Sequence, residues 1–136
     1  MAIFAIGAYY DEDVSDSFIK NNIAGTGWLK TEAPELHQFI GSLKVGDIVY
    51  IKSASPASKD ILIKAVGIVS DNSLVTNSPV VSVGRNIKWL VTESFRTAKP
   101  QEKNNVRLNT MYEEFHPEVQ QAILDRLFTL SSQATD

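Results

Sequence analysis

The chain has 136 residues, 43% hydrophobic and 21% charged, the balance of an ordinary globular domain with room for a core of its own. It contains no cysteine, which excludes a disulfide scaffold, a cysteine nucleophile and a thiolate metal site. A formal net charge of −3 argues against a strong, sequence-blind nucleic-acid binder.

The first residues, MAIFAIGAYYDED, carry no basic segment and only a short apolar run. Neither a signal peptide nor a membrane anchor is expected from them, and a cytoplasmic protein is. Ile3 to Tyr10 alternates loosely and predicts a first strand. A helix follows, capped by Asp13 or Ser15, with Val14, Phe18 and Ile19 on one face and Asn21-Asn22 closing it. Gly25 and Gly27 bracket Thr26, so a tight loop is expected to feed Trp28. Thr31 or Glu32 precedes Pro34, which opens a second helix with a stripe of Leu36, Phe39, Ile40 and Leu43.

Gly46-Asp47 is a turn dipeptide, and Ile48 to Ile51 is a short apolar run of strand type. Ser53 to Lys59 is small, polar and proline-bearing, a loop; Ile61 to Val69 is a second strand. Two strands this apolar need cover, which implies a closed or well-covered β core. Ser70 to Ser73 reads as a turn, and Leu74 to Pro79 has no pattern. Val80 to Val83, the turn Gly84-Arg85-Asn86 and Ile87 to Phe95 read as a hairpin. Thr97 to Asn105 reads as a polar loop, and Asn109 to Phe115 as either a short strand or a helical turn. Pro117 opens a last amphipathic helix with Val119, Ile123, Leu124, Leu127 and Phe128 on one face. Residues 1–130 are expected to form one domain and 131–136 a frayed tail. The order of elements predicts an α+β protein: a small, mixed, mainly antiparallel β-barrel with flanking helices.

Signals for catalysis are thin. His37 and His116 are the only histidines, and neither has a partner at metal spacing, so no metal is expected. His37 falls within the second helix and reads as a surface or boundary residue. Gly25-Thr26-Gly27 resembles the start of a dinucleotide fingerprint, but Lys30 stands at the third glycine position. Asp11, Asp13 and Asp16, like Glu113 and Glu114, stand near helix starts, where the dipole alone accounts for acids. No constellation meets the requirements of an active site, so a non-catalytic protein without a cofactor is expected.

The aromatic and basic residues say more. Trp28 stands in a glycine-rich loop, either as a core plug or as a platform on which a planar ligand stacks. Trp89 sits mid-strand on an apolar face, where a core role comes first. Residues 85–107 hold six basic side chains (Arg85, Lys88, Arg96, Lys99, Lys103, Arg107) against two acids (Glu93, Glu102). Such a band either supplies a few phosphate contacts or is a solvated surface.

From Gly25 to Thr31 and the helix after it, the chain resembles the Trp-bearing loop of EVE and YTH domains, members of the PUA-like superfold. Gly46-Asp47 through Ser53, and Ala65-Val-Gly67-Ile-Val69, are similar to the strand-loop-strand core of the EVE type. Ile87 to Val91 resembles its later strand with a central Trp, and Asn105 to Glu113 the segment before its last helix. The resemblance spans most of residues 3 to 130. It implies a small barrel with a pocket for a flipped-out base, modified or not, in DNA or RNA. It also implies nuclease or ATPase modules as companions. By position, Trp28 would be a wall of the pocket, Lys52 and Ser53 its mouth, and Arg107 would lie near phosphate or the base edge. The loop from Asp71 to Pro79 has no aromatic residue, so a full methyl-base cage is not implied. The candidate base-binding set is thus Trp28, Lys52 and Ser53 with Tyr10, Thr26 and Trp89. The candidate phosphate set is Arg85, Lys88, Arg96 and Arg107. Two other readings stand beside nucleic-acid binding: a binder of a free nucleotide or small planar metabolite, and an interaction subunit docking through its last helix.

Overall fold

A computed structural model describes residues 2–8, 13–53, 59–100 and 110–135, with side chains to residue 129. The central elements are those with the longest apolar runs. β1 (Ile3–Gly7) and β3 (Ile48–Ser53) pair in parallel, with Ile3 opposite Ile48. β4 (Asp60–Val75) runs antiparallel to β3 along its other edge. β5 (Val83–Val91) and β6 (Phe95–Ala98) lie against β4 in succession, β5 near its end and β6 near its start. β2 (Ile23–Thr26) pairs with β5, and β7 (Met111–Glu113) with β1. Ile48–Ile51, Ile61–Val69 and Ile87–Val91 thus share one mixed, mostly antiparallel sheet, of seven strands among the described residues. The α+β class follows, with three helices among the described residues: α1 (Ser15–Asn21), α2 (Pro34–Gly41) and α3 (Pro117–Thr135). No ladder joins β2 to β7 among the described residues, so the strands form an open path where the sequence predicts a closed barrel.

Both faces of the sheet are covered. Side chains alternate across a strand, so β1 and β3 each feed two cores. Phe4, Ile6, Val49 and Ile51 pack with Phe18 of α1 and Ile40 of α2. Ile3, Ala5, Ile48 and Tyr50 pack on the opposite face with Val119 and Ile123 of α3. The unbroken apolar runs of these strands, rather than strict alternation, are what two buried faces require. Leu124 and Leu127 also pack on the second core, so most of the stripe on α3 is spent inside the molecule. Phe128, 64% exposed, is the member of that stripe left outside. The backbone of α3 continues to Thr135, past the position where the sequence suggests a frayed tail. No helix among the described residues is long and apolar enough to cross a membrane.

Helix ends follow local chemistry. Pro34 occupies the first turn of α2, and Asn22 closes α1 in the left-handed conformation. Asp13 accepts bonds from the Ser15 backbone and hydroxyl and from Lys64, fastening the start of α1 to β4. Burial works against its ionisation there, but the bonds from Lys64 and Ser15 outweigh it and hold its carboxyl at about 2.

Three local readings are overturned by long-range pairing. Gly84-Arg85-Asn86 is not a turn; β5 runs straight through it. Gly84 faces Gly25 across the β2–β5 ladder, and a Cβ on Gly25 would lie 2.1 Å from the carbonyl oxygen of Val83. The glycines serve close approach of two backbones rather than chain reversal. For the same reason Gly25-Thr26 belongs to β2 and not to a loop. Ser70 to Ser73 is likewise no turn: β4 passes through it to Val75, with a register shift between Val69 and Leu74. A polar bulge survives mid-strand because its carbonyls find a donor in Arg85. Between the two expectations for Asn109 to Phe115, the strand prevails in β7.

Candidate functional site

The strand register separates the sequence-predicted pocket into two ends of the sheet. Ser53 pairs with Leu62 near the start of β4. Thr26 pairs with Val83, whose neighbour Gly84 pairs with Val75 at the end of β4. Trp28 therefore lies at one end of the sheet, and Lys52 and Ser53 lie at the other. One pocket walled by Trp28 with Lys52 and Ser53 at its mouth is not what this register builds. Tyr10 and Arg107 fall outside the described residues, as do residues 54–58 of the loop after Ser53.

At the Trp28 end there is a cleft of about 660 Å³, within the roughly 300–1,000 Å³ of small-molecule sites. Lys30 and α2 (Pro34, His37, Gln38) form one wall; Leu74, Thr76, Ser82 and Val83 form the other. The loop before α2 is pinned beside it. Thr26 Oγ1 accepts from the Trp28 backbone N–H at 3.2 Å, and Ser82 donates its hydroxyl to the Gly27 carbonyl at 2.9 Å. His37 Nε2 lies 2.7 Å from the Trp28 carbonyl. A carbonyl only accepts, so that nitrogen donates. Trp28 is itself 49% exposed, an uncommon state for a tryptophan on a fixed backbone. It is not a core plug. The cleft offers apolar walls with a cation, an amide and hydroxyls among them, the mixture that holds a planar polar molecule.

Thr26 is buried, so it positions Trp28 from beneath and does not face a ligand. Trp89 proves structural. Its ring packs on the first core, and its indole N–H donates to the Phe18 carbonyl at 3.0 Å. A Cβ on Gly67 would sit 2.9 Å from its Cε3 atom. It is removed from the base-binding set, because its polar handle and one face are already occupied.

The phosphate set also changes. Arg85 is 1% exposed and cannot meet a phosphate. Its guanidinium donates to the carbonyls of Ile40 and Leu43 at the end of α2, and to those of Asp71 and Ser73 in the β4 bulge. A cation at a helix C-terminus meets carbonyls that have no partner within the helix. Arg85 thereby ties α2 to the distal arm of β4, the two walls of the cleft. Lys88 and Arg96 are exposed but on opposite faces. Lys88 alternates with Ile87 and Trp89 of the first core, and Arg96 with Phe95 of the second. The basic band is therefore not one surface.

At the far end, Lys52 is half-buried with its ammonium 5.7 Å from the centre of the Tyr112 ring. Tyr50 donates to Glu114 at 2.6 Å, and its hydroxyl lies 3.3 Å from that of Tyr112. Glu114 also accepts from the His116 N–H just before α3. Burial, with Tyr112 and Glu114 alongside, pushes the Tyr50 phenol far above its ordinary range. This is a fixed polar network inside the second core. Tyr50→Phe removes one donor from a carboxylate that is 1% exposed, and should cost about 1–3 kcal/mol in urea unfolding. An unchanged midpoint would show that the bond contributes nothing.

Lys52 gives a pH signature. Burial lowers its amine from 10.5 to about 8. Between those two values the unfolded chain binds more protons than the folded one, so this group makes stability rise with pH. The parent should therefore gain more stability than Lys52→Met on going from pH 8 to 10, read from urea unfolding at each pH. Parallel curves would contradict the shift.

Among the described residues no cluster of three or more His, Asp or Glu side chains is placed to hold a metal ion. His37 is the functional candidate that the sequence hides. Its helix position looks like a boundary, and only the return of the Trp28 loop to α2 gives it a role. No protein-family model matches this chain, and no curated protein sequence matches it either.

Proposed function

We propose that the protein is a non-catalytic binding module for a nucleotide base, held in the cleft between α2 and the β4–β5 arm with Trp28 beside it. One observation carries this reading. An exposed indole sits on a backbone fixed by Thr26, Ser82 and His37, and the last two line a cleft of ligand size. A base has two π faces and a hydrogen-bonding edge. Stacking on an indole contributes about 1–3 kcal/mol per base, and Lys30 can meet a phosphate. The EVE/YTH resemblance belongs to the same proposal. It is supported by the parallel β1–β3 pair within an otherwise antiparallel sheet covered by helices on both faces.

A base in nucleic acid and a free nucleotide would both fit such a cleft. The dispersal of Arg85, Lys88 and Arg96 favours the second, or a single extruded base, over a strand tracked along a basic groove. Docking through α3 has less support, since Val119, Ile123, Leu124 and Leu127 already pack on the sheet. The test is a binding screen of the common nucleoside monophosphates and of single- and double-stranded oligonucleotides, modified and unmodified, at low and high salt. Saturable binding of at least one, weakened by Lys30→Ala, is expected. A shallow salt dependence marks the free nucleotide and a steep one the polymer. No binding of any of them would refute the module.

A further inference from the structure

We infer that His37 selects the ligand edge, so that the cleft takes a base presenting an N–H donor, such as the exocyclic amine of an adenine-type nucleotide. The inference rests on the base-binding reading above. His37 has two ring nitrogens, and Nε2 is committed as a donor to the Trp28 carbonyl at 2.7 Å. The neutral ring then carries its only proton there, and Nδ1 is an acceptor. His37 lines the cleft, and no hydrogen-bond partner occupies Nδ1 among the described residues. An acceptor on a ring that lines the cleft favours ligands that bring a donor and disfavours those that bring a lone pair, because two acceptors leave both groups unpaired.

The experiment measures affinity by calorimetry for adenosine 5′-monophosphate and for its analogue lacking the 6-amino group, at pH 8. Both carry the same phosphate, so its contribution cancels in the ratio. The amino nucleotide should bind about five- to tenfold tighter, the worth of one hydrogen bond. His37→Phe should abolish the ratio. Ser82→Ala loosens the same loop without touching the ring, so it should weaken both nucleotides and keep the ratio. Equal affinities in the parent, or a ratio that survives in His37→Phe, would each overturn the role of His37. In those cases the base pocket stands without it. If neither nucleotide binds the parent, the pocket reading fails and this inference fails with it.

Discussion

Replacing Arg85 with methionine should destabilise the protein by roughly 2–5 kcal/mol, since two buried carbonyls lose a charged donor at about 1–3 kcal/mol each, and that of Ile40 keeps only the 3.4 Å bond from the Leu43 N–H. Those carbonyls belong to Ile40 and Leu43, and the partly buried ones of Asp71 and Ser73 lose theirs as well. Methionine keeps an apolar stem of similar length, so the loss reports hydrogen bonding rather than a cavity. Arg85→Lys should recover only part of it. A lysine has a compact ammonium with three donors, and one point charge does not span carbonyls on two separate elements. Urea unfolding with an unchanged slope would give the difference directly. A variant with methionine at 85 as stable as the parent would show that α2 and the β4 bulge hold together without the guanidinium.

The two tryptophans should respond in opposite ways. Trp89→Ala should cost about 3–5 kcal/mol of stability, the range for a large aromatic removed from a packed site. It opens space over Gly67 and strips the Phe18 carbonyl of its indole donor. Trp28→Ala should leave the unfolding midpoint almost unchanged, because the side chain is half exposed and its loop is held by backbone and neighbouring groups. Its loss should instead weaken base binding by about 1–3 kcal/mol, one lost stack. Melting and titrating both variants in parallel separates the roles. Reversed outcomes would exchange the two residues.

Much of the scaffold is legible in the sequence because it depends on local pattern. The strands that begin at Ile3 and at Ile48, the proline at the start of α2 and the stripe of α3 are each set by residues close together in the chain, though Ser53 belongs to β3 and not to the loop the sequence suggests. What the sequence conceals depends on distant partners. Gly84-Arg85-Asn86 has turn composition, and only the apposition of Gly25 makes it a strand. Arg85 then points inward, and a cation counted for phosphate becomes the tie between α2 and β4. For Trp28 the sequence left a core plug and an exposed platform both open, and neither its exposure nor its neighbours was legible. The order of strands in the sheet, not spacing along the chain, puts Lys52 and Ser53 at the opposite end. His37 gains its role from a loop that folds back nine residues, a contact with no local signature.

The most direct test of the central claim is a nuclear magnetic resonance titration of the parent protein with adenosine 5′-monophosphate. The chain has two tryptophans, so two indole N–H signals are expected, and Trp28→Phe assigns them. Binding in the α2 cleft should move the Trp28 indole saturably, together with the backbone amides of Lys30, His37 and Ser82. The Trp89 indole and the amides of Gly7, Lys52 and Ser53, at the other end of the sheet, should stay in place. Saturable shifts at Lys52 and Ser53 with a stationary Trp28 would contradict the assignment and move the site to the opposite end.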